Sequence, residues 1–183
     1  SAMSSTRAYR LCPEAIFLPP RFDVYQTVSN EIVEIFFEYT DLVEPLSLDE
    51  AFLDVTTNKK DIVLATQIAQ EIKEKIVKTT GLTASAGVSY NKFLAKAASD
   101  INKPDGLTVV PPEKALNFIS SLPIRKFYGV GKVTEQKMLS LGIKTGADLM
   151  AIPRDDLIRW FGKAGEFFFN IAQGYDSRPV VAE

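Results

Sequence analysis

Asp49 and Glu50 stand side by side in the stretch Glu44-Pro45-Leu46-Ser47-Leu48-Asp49-Glu50-Ala51-Phe52-Leu53-Asp54-Val55. An apolar arm, a short polar turn and an alternating arm predict a β-hairpin with the acidic pair at its turn. In a regular strand, neighbouring side chains point to opposite faces. Two adjacent carboxylates therefore converge on one ion only where the backbone bends, and the turn before Ala51 supplies the bend. Like charges ~4 Å apart repel by roughly 1 kcal/mol in water and ~4 kcal/mol at an effective dielectric of 20. A cation relieves that repulsion, and a hard oxygen pair suits Mg²⁺, which keeps waters and takes substrate phosphates as further ligands. The same pair also reads as an ordinary solvated turn.

Two further groups of residues are candidates. Lys92 and Lys96, at i and i+4, share a helix face in Asn91-Lys92-Phe93-Leu94-Ala95-Lys96. Lys103 follows in Asn102-Lys103-Pro104-Asp105-Gly106, where the proline restricts its conformation. A lysine held there can meet a triphosphate as a point charge; solvated lysines are the plainer reading of all three. The second group is Phe127-Tyr128-Gly129-Val130-Gly131-Lys132-Val133-Thr134. Gly129 and Gly131 allow close backbone approach to a ligand, and the N-terminus of the following helix is a seat for phosphate. This resembles a helix-hairpin-helix element, which grips nucleic-acid backbone without reading sequence, with Lys126, Lys132 and Lys137 adding charge. An ordinary helix–helix turn fits the same residues. A dinucleotide loop does not, because no strand precedes the turn and the third glycine is missing. Phe161-Gly162-Lys163-Ala164-Gly165 is a weaker version, read as a plain turn. Phe36-Phe37 and Phe167-Phe168-Phe169 read as core.

Composition narrows the chemistry. The chain has 183 residues, 46% of them hydrophobic, with a net charge of −2 and no histidine. A chain of that length buries roughly 70% of its unfolded surface. The lack of histidine excludes Ser-His-Asp and Cys-His catalysis and every His-ligated metal. One cysteine, Cys12, excludes an internal disulfide and a Cys-based zinc site and suits a reducing, cytoplasmic setting. Any nucleic-acid contact must come from local patches. No signal peptide or membrane-spanning run is evident. Ser1-Ala2-Met3 reads as a cloning scar.

The elements that must position these residues follow from periodicity. Residues 4–15 read as a frayed lead-in and 15–18 as a short buried strand before Pro19-Pro20. Helices are predicted over 21–39, 58–78 and 92–101, the last capped by Asn91. Hairpin arms fall at 41–46 and 50–56, and strands at 82–89 and 107–110. Beyond Pro111-Pro112 short helices run to the end, at 113–121, 124–128, 132–140, 145–151, 154–160 and 164–173. The order gives an α+β fold, a sheet with helices packed on one face, followed by a small all-α unit.

Three stretches together resemble the Y-family translesion DNA polymerases, of the bacterial DNA polymerase IV type. They are Pro45-Leu46-Ser47-Leu48-Asp49-Glu50-Ala51-Phe52-Leu53-Asp54-Val55, the run Ala84-Ser85-Ala86-Gly87-Val88-Ser89-Tyr90-Asn91-Lys92-Phe93-Leu94-Ala95-Lys96-Ala97-Ala98-Ser99-Asp100 continuing to Asn102-Lys103-Pro104-Asp105-Gly106, and Gly129-Val130-Gly131. The resemblance runs from about Leu11 to the end. It implies a palm-type sheet over 15–112 and a helix-hairpin-helix thumb over 113–183, with 1–14 the scar and the end of the fingers. It implies that Asp49 and Glu50 are two of three metal-binding carboxylates for a pair of Mg²⁺ ions. Glu50 then counts as catalytic, and Lys103 contacts the incoming nucleotide. Gly129, Val130, Gly131 and Lys132 then hold primer-template DNA.

The family's first metal-binding aspartate, on an N-terminal strand, and the ribose-screening aromatic residue after it are not among these residues. Most of the fingers and the clamp-binding C-terminal part are also missing. The resemblance therefore implies an internal fragment, inactive alone, of a protein that uses deoxynucleoside triphosphates and a processivity clamp. The palm sheet without its central strand leaves an apolar edge, from which self-association or a rearranged sheet is expected. Two other classes stay open: a non-catalytic DNA-backbone-binding module, and a nucleotidyl cyclase-like palm, which leaves the glycine turn unexplained.

Overall fold

A computed structural model describes residues 3–182; Ser1 and Ala2 of the supposed scar lie outside that range. The mixed α and β architecture expected from the sequence is present. A short helix α1 (Ser5–Leu11) occupies the segment expected to be frayed, started by Ser4, whose hydroxyl accepts from the Arg7 N–H at 3.4 Å. The strand expected at 15–18 is not formed. Ile16, Phe17 and Leu18 lie exposed, at 86%, 52% and 81% of full accessibility. Their apolar pattern is that of a strand, but no ladder is offered to them among the described residues.

Helix α2 (Phe22–Phe37) leads to a hairpin of β1 (Val43–Ser47) and β2 (Glu50–Leu53). The pairing is antiparallel, Val43 opposite Leu53 and Pro45 opposite Ala51, with a register irregularity before Ser47. That irregularity bends the strand immediately before the acidic pair. Helix α3 (Ala65–Thr80) starts later than its pattern predicts. Asn58 holds the preceding residues in a turn: its side-chain oxygen accepts from the Lys60 and Ile62 N–H groups, and its amide donates to the Ile62 carbonyl at 2.8 Å. Gly81, at φ 71°, ends the helix.

Strands β3 (Ala86–Val88) and β4 (Leu107–Val109) pair in parallel, and α4 (Lys92–Ser99) is the crossover between them. A Cβ on Gly87 would lie 2.0 Å from the Ala95 carbonyl oxygen, so glycine is what allows α4 to press directly on β3. The expected single sheet is instead two two-stranded sheets. An apolar cleft of about 1050 Å³, lined by both β2 and β3 and floored by α2 and α3, lies between them. No described strand bridges β2 to β3, which is the physical reason for the split.

The helical half contains α5 (Ala115–Ser121), α6 (Lys132–Ser140), α7 (Gly146–Met150), α8 (Arg154–Phe161) and α9 (Lys163–Ala172), with single 3₁₀ turns at Pro112–Lys114 and Ile124–Lys126. Two cores result. Tyr39, Ile35, Ile68, Ile72 and Ile76 hold α2 to α3, with Phe36 against them. Phe93, Leu94, Ala97 and Ala98 of α4 join Phe127, Met138, Leu149, Leu157 and Phe168 in the other. Helix α4 thus belongs to the helical core through one face and meets the strands through another. Among the described residues no helix is long and apolar enough to cross a membrane.

Candidate functional site

The hairpin irregularity puts Asp49 in the turn and Glu50 at the first position of β2, and both line the cleft. The Ser47 hydroxyl donates to Asp49 Oδ1 at 2.7 Å. Lys96 Nζ donates to Glu50 Oε1 at 3.0 Å. Lys96 also lies 3.9 Å from Asp100, whose other carboxylate oxygen is 2.8 Å from Lys103 Nζ. Glu50, Lys96, Asp100 and Lys103 therefore form a chain of alternating charge, and Asp49, Glu50, Lys96 and Lys103 border the same cleft. The structure thus brings the acidic doublet and the predicted lysine to one place.

Electrostatics report the same proximity. The Asp100 carboxylate holds the Lys103 ammonium above the ordinary lysine range against some burial, and the charges of Glu50 and Asp49 add to it. Burial pushes Asp100 up, but its bond to Lys103 and the charges of Lys96, Lys103 and Lys126 bring it below the ordinary carboxylate range.

The turn bearing Lys103 is pinned from outside. Lys73, on α3, donates to the Ala84 carbonyl at 2.6 Å, to the Asp105 carbonyl at 2.9 Å and to the Asp105 carboxylate. Asp105 has φ 54°, in the left-handed region uncommon for a non-glycine residue. The Gly106 N–H donates to Ser85 Oγ at 3.1 Å, and Asn102 Nδ2 to Thr108 Oγ1 at 3.0 Å. The sequence pattern did not single out Lys73, which sits on the polar edge of an amphipathic helix. Lys92 departs from the solvated reading: it is only 8% exposed, donates to Glu44 Oε2 at 2.5 Å and lies 5.1 Å from the centre of the Phe52 ring.

Does this donor set suit a divalent cation? Two carboxylates at a bent hairpin tip are hard oxygen donors, as Mg²⁺ requires. No group of three acidic, histidine or cysteine side chains meets among the described residues, so the doublet supplies part of a coordination shell. The residues fit an ion that takes its other ligands from water and a phosphate-bearing substrate.

The glycine turn lies elsewhere, in the helical half. Gly129 has φ 79°, which favours glycine, and its next neighbour Val130 donates to the Phe127 carbonyl at 3.1 Å. Gly131 is the N-cap of α6 and offers no side-chain oxygen to the first-turn N–H groups. Gly129, Gly131 and Lys132 are exposed. Lys137, expected to add charge, is exposed; its ammonium donates to the Trp160 carbonyl and lies 4.9 Å from the centre of the Phe161 ring. The phenylalanine triplet is core, with Phe168 buried and Phe167 and Phe169 packed around it.

Comparison with known proteins bears on what this arrangement is. Residues 1–100 match the impB/mucB/samB family, and 112–143 match the IMS family HHH motif. DNA polymerase IV of Bacteroides fragilis (strain YCH46) is 57% identical over 182 residues, covering 100% of this chain and 50% of the relative. DNA polymerase IV of Clostridioides difficile (strain 630) is 57% identical over 180 residues, covering 98% and 49%. Among solved structures, a crystal structure of DinB from Sulfolobus solfataricus superposes with a TM-score of 0.87 at 32% identity, over 100% of this chain and 54% of that one. An insertion ternary complex of Dbh DNA polymerase gives 0.85 at 32% identity, over 98% and 53%. The chain spans about half the length of the curated relatives it matches.

Proposed function

This chain belongs to the impB/mucB/samB family, the Y-family DNA polymerases, and from that premise we propose that it supplies the palm and thumb of a template-directed polymerase that copies past damaged bases. The observation that carries the reading is the meeting of Asp49, Glu50 and Lys103 at the wall of one cleft. In this reading 15–112 is the palm and 113–183 the thumb, with 1–14 closing the fingers.

Asp49 and Glu50 hold Mg²⁺ on the hairpin tip, two ions serving the complete enzyme. The chemistry supplied by the metal is activation of the primer 3′-hydroxyl and neutralisation of charge on the triphosphate. Lys103, held by the turn that Lys73 pins, meets the triphosphate as a fixed positive charge. Gly129, Val130, Gly131 and Lys132 hold the duplex backbone, through exposed N–H groups at the start of α6 and one lysine. The partners are primer-template DNA, a deoxynucleoside triphosphate and, for the longer protein, a processivity clamp; the setting is the cytoplasm. The apolar cleft between the two sheets supports self-association of this chain on its own.

The 183 residues carry two of the three metal-binding carboxylates that the resemblance implies. Alone they are expected to hold duplex without extending primers. Fluorescence anisotropy with a labelled duplex, beside primer extension by the same chain, tests that pairing of outcomes. A non-catalytic backbone-binding module predicts the same result for this chain. It differs in the longer protein, where the acidic doublet would be dispensable.

A further inference from the structure

We propose that residues 174–181 form a strap that fixes the glycine turn relative to α4, and that Arg178 is its positioning residue. The turn's importance rests on the DNA-binding reading above; the strap itself does not.

After α9 the chain turns at Gly174 (φ 78°) and runs back over α4. The Gly174 carbonyl accepts from Tyr90 Oη and from Asn91 Nδ2, each at 3.0 Å. Two residues on, the side chain of Asp176 is only 1% exposed. Its Oδ2 accepts from the Phe93 N–H at 3.0 Å, at the start of α4. A buried carboxylate is costly unless paired. Arg178 pairs it through both edges, Nε to Oδ1 at 2.8 Å and Nη2 to Oδ2 at 2.7 Å.

The same guanidinium lies 4.5 Å from the centre of the Tyr128 ring and 5.0 Å from that of Phe167. Tyr128 is the residue immediately before Gly129. The strap then continues to the hairpin: the Pro179 carbonyl accepts from Lys92 Nζ at 2.8 Å, and the Val181 N–H donates to Glu44 Oε2 at 2.7 Å. One short segment thus holds the N-terminus of α4, the first hairpin strand and the approach to the glycine turn. Arg178 is the member that touches both the α4 side, through Asp176, and the turn side, through Tyr128. Neither Asp176 nor Arg178 has a part in the proposed chemistry. Their geometry is explained by keeping the duplex-holding turn in register with the helix whose Lys96 meets Glu50.

The test is residue-resolved amide exchange on the 183-residue chain, wild type against Arg178→Gln, Arg178→Lys and Tyr128→Leu. The Phe93 and Val130 amides report the two ends of the strap. Leu149, whose N–H bonds the Thr145 carbonyl at 3.1 Å, reports the helical core. Arg178→Gln should speed exchange at both Phe93 and Val130 by about tenfold or more while leaving Leu149 within about twofold. Arg178→Lys, which keeps the charge and loses the fork, should fall between. Tyr128→Leu leaves the Asp176–Arg178 pair in place and should still speed exchange at Phe93, on the far side of the strap. Acceleration of all three amides together, or a Phe93 amide indifferent to Tyr128→Leu, would overturn the proposal. Duplex affinity measured alongside separates the two readings. A wild-type chain that binds no duplex contradicts the DNA-binding role while the exchange data still decide the strap.

Discussion

Lys96 Nζ sits 3.0 Å from Glu50 Oε1, joining the middle of α4 to the tip of the acidic hairpin. Because α4 is packed into the helical core through Phe93, Leu94, Ala97 and Ala98, the hairpin carboxylate is referenced to that core rather than to its own two-stranded sheet. A hairpin alone is marginally stable in water, so an external reference is what gives the doublet a fixed position. Lys96 is also a competitor: an ammonium and a divalent cation cannot both fully occupy the same carboxylate oxygen.

Replacing Lys96 with methionine should therefore tighten divalent-cation binding at the doublet. Removing one positive charge about 4 Å from a doubly charged ion is worth roughly 2 kcal/mol in a water-like medium, a gain of about thirtyfold. The pair is part-exposed, so stability should change by less than about 1 kcal/mol. Titration of Mn²⁺ followed by electron paramagnetic resonance reads the first quantity, and thermal melting reads the second.

Lys103→Ala should act on the nucleotide. Losing one charge-assisted hydrogen bond costs about 1.5 kcal/mol, or about tenfold in the KM for the incoming triphosphate of a longer protein that carries these residues and has the proposed activity. Duplex affinity should hold. Lys73→Met should give a milder version of the same change, because the turn carrying Lys103 loses the ammonium that pins Asp105.

The strap should make stability depend on acid. The Lys92 ammonium and the Val181 N–H hold Glu44 below its ordinary 4.5. Burial pushes Asp176 up, but Arg178 more than offsets it and the carboxyl sits below its ordinary 3.8. A carboxylate depressed in the folded state contributes stability above its unfolded value and loses it as pH falls through the folded one. Melting temperature should thus decline below about pH 4.5. Asp176→Asn should lower the neutral plateau by about 1–3 kcal/mol, since Arg178 loses its partner, and should flatten the acid decline.

Most of the elements were legible in the sequence because periodicity and caps are local. The hairpin, α2, α4 with its Asn91 cap and the short helices of the second half fall where patterns place them. What was not legible is long-range. Ile16-Phe17-Leu18 has a strand's composition and no ladder to join. No local pattern reports the split into two two-stranded sheets; only the resemblance, which implies a palm sheet without its central strand, pointed to a rearranged sheet. Residue type and resemblance singled out Asp49, Glu50 and Lys103 as candidates, and the structure sets all three at one cleft. Lys73, Asp176 and Arg178 were not, because an ordinary helix-edge lysine and an Asp-Ser-Arg triplet carry no signal until the fold brings their partners to them.

Gly87→Ala tests how α4 is seated. The added Cβ would stand 2.0 Å from the Ala95 carbonyl oxygen and 2.5 Å from the Ser99 nitrogen, both backbone atoms that cannot swing away. Helix α4 must move off β3, at a cost of about 1–3 kcal/mol, and Lys96 moves with it. Thermal melting should show the loss, and Mn²⁺ affinity should shift in the direction given by Lys96→Met.

The central claim is that Asp49 and Glu50 hold the metal for nucleotidyl transfer while a separate surface holds DNA. Single-nucleotide incorporation by a longer protein that carries these residues, wild type against Asp49→Asn and Glu50→Gln, with duplex affinity measured on the same samples, tests it most directly. Loss of a residue that merely orients a metal ligand costs about 10–100-fold, so loss of a ligand itself should reduce incorporation by at least about 100-fold, with duplex affinity within about twofold. Incorporation that survives either substitution, or that falls only in step with duplex affinity, would contradict the account.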